Sequence, residues 1–154
     1  MTSVCGGVGP AAYLKSILHE TEVNFIFENG FSDMKRDFVS HQSGFVRKLA
    51  DRYWNCLSSK DIEAKDKPQE TGFNIYKLWE NLGLTDLGKI VVVAVKKDQF
   101  LPDDVAKRNV ELAKRINQYV SHVIYRSCEK NAHSDYYFNH PNAANQVLKA
   151  IFGA

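Results

Sequence analysis

The chain has 154 residues, 44% of them apolar and 25% charged, and 20 Lys plus Arg balance 18 Asp plus Glu. That length suits a single domain, residues 1–154, which buries roughly two-thirds of the surface it exposes when unfolded. The 12% aromatic content excludes a disordered chain, the net charge of +2 lacks the footprint of a strong nucleic-acid binder, and no apolar stretch approaches the ~20 residues of a membrane span.

Met1–Pro10 has neither the basic patch nor the apolar core of a signal peptide, which predicts a cytoplasmic setting. Ser3–Cys5 is a candidate short first strand, and Gly6, Gly7 and Gly9 then form a glycine-rich turn. Backbone amides of such a turn before a helix can bind an oxyanion or a phosphate. The glycine and lysine spacing of a P-loop is absent. Pro10–Glu20 reads as a helix with Tyr13, Leu14, Ile17 and Leu18 on one side, and Val23–Glu28 as a buried strand closed by Asn29-Gly30. Asp33–Leu57 has helical spacing at Val39, Val46, Leu49 and Tyr53, with Gly44 as its weak point. Ser58–Thr71 is a polar surface excursion, and Phe73–Leu82 a further helix ended by Gly83.

Ile90–Val95 is β-branched and apolar on both faces, the pattern of a central parallel strand. Pro102–Val120 reads as a helix, with Pro in its first turn and Asp103 and Asp104 where the dipole favours anions. Its expected inner stripe is Val105, Leu112, Ile116 and Tyr119. His122–Tyr125 is a shorter strand, and Pro141–Phe152 a last helix with Val147, Leu148, Ile151 and Phe152 inward and Gly153 beyond its end. The alternation predicts a three-layer α/β/α domain with a mostly parallel sheet of flavodoxin-like type. In such sheets ligands sit beyond the carboxyl ends of the strands, which directs attention to residues 29–33, 96–104 and 126–142.

The three cysteines, Cys5, Cys56 and Cys128, are odd in number and widely spaced, against a disulfide framework or a zinc site. Cys56 and Cys128 have apolar neighbours and are expected to be buried. No metal and no cofactor is implied.

The C-terminal segment SDYYFNHPNAANQVLKAIFG carries the most chemistry. His140 stands before Pro141-Asn142, and Asp135 lies upstream; a loop histidine with a nearby acid can act as general base in acyl transfer. The plainer reading is that His140 and Asn142 cap the last helix. Ser32 and Asp33 likewise either present polar groups to a pocket or cap a helix. The aromatic run Tyr136, Tyr137 and Phe138 suits a lid or, if exposed, a surface for an acyl group, a sugar or a partner protein. The pairs Lys96-Lys97, Lys107-Arg108 and Lys114-Arg115 read as a solvated face.

In order and spacing these pieces resemble the SGNH or GDSL-type hydrolases, α/β proteins of flavodoxin-like architecture that cleave acyl esters. The resemblance covers Gly6 to Gly153. GGVGPAAYLKSIL and the strand leading to Gly30-Phe31-Ser32-Asp33 look like the family's second and third blocks, and HSDYYFNHPNAANQVLKAI looks like its closing Asp-x-x-His block. Asn109 would match an Asn that the family often carries near the start of a helix. The resemblance implies His140 as base, Asp135 as its orienting acid, and an oxyanion site formed by amides near Gly7 and Gly30 with Ser32. The expected substrate is a small acyl ester or acetylated sugar. The first block, with the nucleophilic serine and the strand before it, has no counterpart here. Ser32 replaces the Asn of the third block, and Tyr137 stands where the acid is expected. The nucleophile would then be Ser3, Ser32 or a water. A relative that keeps the fold only to bind a ligand or a protein partner is the alternative. A weaker similarity links Lys96-Lys97-Asp98 and Ser127-Cys128-Glu129-Lys130 to the guanine-reading loops of Ras-like GTPases, without a phosphate site.

Overall fold

The computed structural model describes residues 2–4, 11, 14, 17–18, 21–30, 43–49, 52 and 88–153. Among these residues four strands form one all-parallel sheet in the order β1 (Thr2–Val4), β2 (Phe25–Glu28), β3 (Ile90–Lys96) and β4 (Val120–Arg126). Helix α1 (Asp103–Ala113) and helix α2 (Pro141–Phe152) flank it, and single 3-10 turns occupy Ala132–Ser134 and Tyr137–Asn139. This is the expected three-layer α/β arrangement. β1 pairs directly with β2, Ser3 registering with Phe27.

The core divides by strand periodicity. Successive side chains of a strand point to opposite faces. Phe25, Phe27, Ile90 and Val92 therefore meet Val110 and Ala113 of α1 on one side. Val91, Val93, Val95, Val123 and Tyr125 meet Ala143, Val147 and Ile151 of α2 on the other. Residues 90–93 of β3 are at most 3% exposed, as the apolar run requires.

Strand ends are closed by side-chain amides. Asn29 has left the strand geometry, with a φ of 46°. Its Oδ1 accepts the Val95 N–H at 2.9 Å, a donor that β2 is too short to reach. At the other end of the sheet Lys89 N–H donates to Asn24 Oδ1 at 2.8 Å, and Lys89 Nζ donates to the Ile151 carbonyl near the end of α2 at 2.7 Å. That cation sits where the helix dipole is negative. Gly153 closes α2 with a left-handed φ of 73° and an N–H bond to the Lys149 carbonyl at 2.8 Å.

Several expectations are corrected. The helix starting near Pro102 ends at Ala113, seven residues before Val120. Asn117 ties down the turn that follows, donating from Nδ2 to the Gly88 carbonyl at 2.5 Å and accepting the Tyr119 N–H on Oδ1 at 2.5 Å. Tyr119 is exposed, so the inner face is Val105, Asn109, Val110 and Ala113, with Leu112 and Ile116 partly buried beside it. On α2, Leu148 and Phe152 face outward while Val147 and Ile151 are buried. Leu14, Ile17, Val46 and Leu49 are exposed. Of the helix expected over Asp33–Leu57, residues 44–49 and 52 are helical, Ser43 is not, and Gly44 has a φ of 59°; the other positions lie outside the described residues. Cys128 is exposed. The expected excursion at 58–71, the helix at 73–82 and Cys56 lie outside the described residues.

Replacing Ile90, fully buried between β2 and β4, by Ala is expected to cost about 2–5 kcal/mol. Phe152→Ala, at a position 74% exposed, is expected to stay within about 0.5 kcal/mol of the parent. Urea unfolding of the two variants checks this contrast.

Candidate functional site

The chain leaves β4 at Arg126 and returns to α2 through two 3-10 turns that frame Asp135. The second turn, Tyr137–Asn139, shortens the path so that five residues of separation bring His140 Nε2 to 2.7 Å from Asp135 Oδ2. Asp135 is 7% exposed. Its Oδ2 also accepts the Ser127 hydroxyl at 2.5 Å, and its Oδ1 accepts from Asn139 Nδ2 at 3.3 Å. The Ser127 bond, with those of His140 and Asn139, holds this carboxyl below its ordinary range against the opposing effect of burial. An ionised carboxylate only accepts, so Nε2 carries the ring hydrogen and Nδ1 of the neutral ring is an acceptor. No described residue hydrogen-bonds that Nδ1. The ring leans on Tyr125 at a centroid distance of 4.9 Å. It fronts an open groove of about 250 Å³ shared with Arg126, Pro141, Asn142 and Gln146. His140 occupies the N-cap position of α2 without making a side-chain cap.

Beneath this loop lies Glu28, fully buried at the end of β2. Its Oε1 accepts the Tyr137 N–H at 2.6 Å and contacts the Tyr125 hydroxyl at 2.9 Å, while Oε2 has no hydrogen-bond partner among the described residues. Tyr125 Oη also contacts the Asp135 carbonyl. One hydroxyl hydrogen cannot serve both acceptors, and a proton on Glu28 removes the conflict. The electrostatics agree: burial raises the Glu28 carboxyl above its ordinary value, outweighing the two hydrogen bonds. Burial and the neighbouring Glu28 likewise push the Tyr125 hydroxyl far up, so it stays a neutral donor.

A second histidine–acid pair stands at the end of β3. His133 Nδ1 lies 2.6 Å from Asp98 Oδ2, and Asp98 Oδ1 accepts the N–H groups of Phe100 and Leu101 at 2.7 and 2.9 Å. Gln99 clasps the same loop, accepting the His133 N–H and donating to the Lys130 carbonyl. Asn29 Nδ2 reaches the His133 carbonyl at 3.4 Å.

The structure thus brings together His140 and Asp135. Gly30 is elsewhere: its carbonyl accepts from Asn109 Nδ2 at 2.9 Å, in a separate cavity. Gly7 and Ser32 lie outside the described residues. Ser3 is buried within β1, its hydroxyl donating to the Ile26 carbonyl at 3.5 Å. Tyr136 and Tyr137 are half-buried and Phe138 is exposed, stacked on Tyr136 at 5.4 Å. Glu28, Tyr125 and His133 were not singled out from sequence, because their partners are remote along the chain, and Asp98 and Ser127 entered only through the weaker Ras-like similarity, in another role. No group of three His, Cys, Asp or Glu placed to hold a metal occurs among the described residues. None of their helices is long and apolar enough to cross a membrane. No protein-family model, no curated protein and no solved structure matches the chain.

The two buried acids give opposite pH dependences. Asp135, depressed in the fold, contributes stability that is lost as pH falls below its ordinary 3.8. Glu28, raised in the fold, binds its proton more tightly when native, so stability falls as pH rises above its ordinary 4.5. Glu28→Gln is expected to remove that alkaline-side slope, at most about 1.4 kcal/mol per pH unit, and to leave the acid limb intact. Urea midpoints from pH 3 to pH 8 read both limbs, and an unchanged alkaline slope would assign it to another group.

Proposed function

We propose that the chain is a cytoplasmic SGNH-hydrolase-like domain that cleaves a small acyl ester or an acetylated sugar. The observation that supports this reading is the 2.7 Å contact of His140 Nε2 with a buried, ionised Asp135, leaving Nδ1 without a bonded partner in a ring at an open groove. In this reading Asp135 fixes the tautomer and stabilises the imidazolium. His140 Nδ1 takes the proton of the attacking hydroxyl, which adds to the acyl carbon, and returns it to the departing alcohol. Ser3 is held on a strand carbonyl, so the attacking group is Ser32 or a water. Amides near Gly7, with Ser32, are the proposed oxyanion donors, while Gly30, which lines the separate cavity, drops out of this set.

A second reading, a non-catalytic relative that binds a ligand or a protein, is favoured by one feature. Asp135 Oδ2 is shared with Ser127, and no described serine hydroxyl reaches His140. A degenerate Ras-like nucleotide site finds less support, since the Asp98 carboxylate is already taken by two backbone amides and His133.

The readings separate on a fluorophosphonate probe and on p-nitrophenyl acetate hydrolysis. Hydrolysis is expected for the folded chain, with a loss of roughly 100-fold or more in His140→Ala. Labelling of a serine that disappears in this variant identifies the nucleophile, and hydrolysis without labelling assigns the attack to water. A folded chain that neither labels nor hydrolyses sinks the hydrolase reading in favour of the binding one.

A further inference from the structure

β4 is the last strand of the sheet, and among the described residues no strand pairs with its outer side. Which backbone groups face outward follows from the ladder. The Ile90 N–H donates to the Tyr119 carbonyl, and Ile90 registers with Val120. In a parallel strand the N–H and C=O of one residue point to the same side, and successive residues alternate. Ser121, Val123 and Tyr125 therefore bond to β3, while Val120, His122, Ile124 and Arg126 turn both groups away from it. None of these outward backbone groups bonds to a described residue. Ile124 and Arg126 are exposed, and Val120 and His122 are half-buried.

Such an edge is a template for another strand, and proteins commonly blunt it with Pro, Lys, a bulge or a very short strand. β4 has seven residues, as many as β3, contains neither Pro nor Lys, and pairs with β3 without a bulge. Its flank is basic. Val120 packs with Val110 and Ala113 of α1, so by alternation His122, Ile124 and Arg126 take the α1 face as well. Burial pushes the His122 imidazole below its ordinary value, and Lys107 and Lys114 of α1 push it further, which sets both ammonium groups near the middle of β4. Lys107, Lys114 and Arg126 are exposed, and none makes an ion pair with a described residue. Glu111, between the two lysines on α1, pairs with neither.

We propose that the free edge of β4 binds an extended acidic peptide segment of a partner protein as an added strand, with main-chain bonds to His122, Ile124 and Arg126 and with alternate Asp or Glu side chains against Lys107, Lys114 and Arg126. Main-chain pairing supplies the affinity, and the cations select the sequence. A second copy of the chain is disfavoured by the same cations. An antiparallel two-fold pair through β4 keeps each face of the sheet on one side, so Lys107, Lys114 and Arg126 of both copies would gather along one seam. Neither His140 nor Asp135 takes part, so the edge binds whether or not His140 acts in acyl transfer.

The test is amide NMR on the full chain with two end-capped peptides of the length of β4, one alternating Thr with Glu and one alternating Thr with Lys. In the free chain the His122, Ile124 and Arg126 amides are expected to exchange fast and those of Ser121, Val123 and Tyr125 slowly. The Glu peptide is expected to bind saturably, with Kd on the order of 1 mM or below, and to slow the first set. The Lys peptide is expected to bind about tenfold more weakly or worse. Changing both exposed lysines, Lys107→Glu with Lys114→Glu, is expected to reverse that preference. N-methylation of alternate residues blocks one edge of the Glu peptide, so methylation at Thr or at Glu is expected to abolish binding in one case and spare it in the other; the form that fails reports the direction of the added strand. No saturable binding of the Glu peptide, equal binding of the Lys peptide, an unchanged preference in the folded double variant, or binding by both or neither methylated form overturns the proposal. Slow exchange of the outward amides in a dimer of the free chain also overturns it, in favour of a second copy.

Discussion

A buried carboxyl group that makes no ion pair among the described residues organises the carboxyl edge of the sheet. Glu28 is fully buried, and its Oε1 meets only Tyr125 and the backbone of Tyr137. A carboxylate in that position would retain a large desolvation penalty, since no ion pair offsets it. The neutral acid is compatible with the site and completes a chain of bonds: Glu28 to Tyr125, and Tyr125 to the carbonyl of Asp135. β2 thereby holds, across β3, the loop that presents the candidate dyad.

The sheet makes that reach constant. β3 is covered on both faces, and its neighbours pair with it in uninterrupted parallel register from Ile90 onward. Tyr125 and Val123 point toward α2 because Val120–Arg126 alternates, and the same alternation sends Ile124 to the other cavity wall. A one-residue slip of β4 would exchange these directions and remove the hydroxyl from Glu28. The buried valines thus contribute to the site indirectly: they fix a register on which a 2.9 Å contact depends.

What was legible in the sequence follows from range. The strand Ile90–Lys96, the parallel sheet and the Pro141–Gly153 helix are announced by local patterns: a β-branched run, alternation of elements, and Pro and Gly at the two ends. Asp135 and His140 were legible as a candidate pair because they are neighbours in the chain, though their contact depends on a 3-10 turn that no glycine or proline marks. Glu28 was not, since a lone acid at the end of an apolar strand looks like a boundary, and its partners lie 97 and 109 residues away. The end of α1 was missed for a related reason. Lys114–Tyr119 contains no helix breaker, and the Asn117 side chain, bonded to Gly88 just before β3, fixes the turn that leads into β4. Inward-facing positions on α2 were overcounted because two helical turns of apolar residues have more hydrophobic positions than the sheet can cover.

The two histidine–acid pairs at this edge are wired differently, and the difference bears on their roles. Asp98 meets His133 at Nδ1 and is itself bonded to two backbone amides. Together with Gln99 it ties the loop after β4 to the turn after β3, so each bond there also holds the backbone in place. Asp135 meets His140 at Nε2, and its remaining bonds go to side chains, Ser127 and Asn139. Side-chain bonds can rearrange without moving the main chain, whereas those of Asp98 cannot. A general base must change its proton without unfolding its support, and of the two histidines His140 meets that condition: its acid sits on a loop already fixed from beneath by Tyr125 and from the side by the Asp98 latch. Ser127 then becomes the adjustable member of the site. While it donates to Asp135 it competes with His140 for one oxygen, and releasing it would concentrate the acid's charge on the ring.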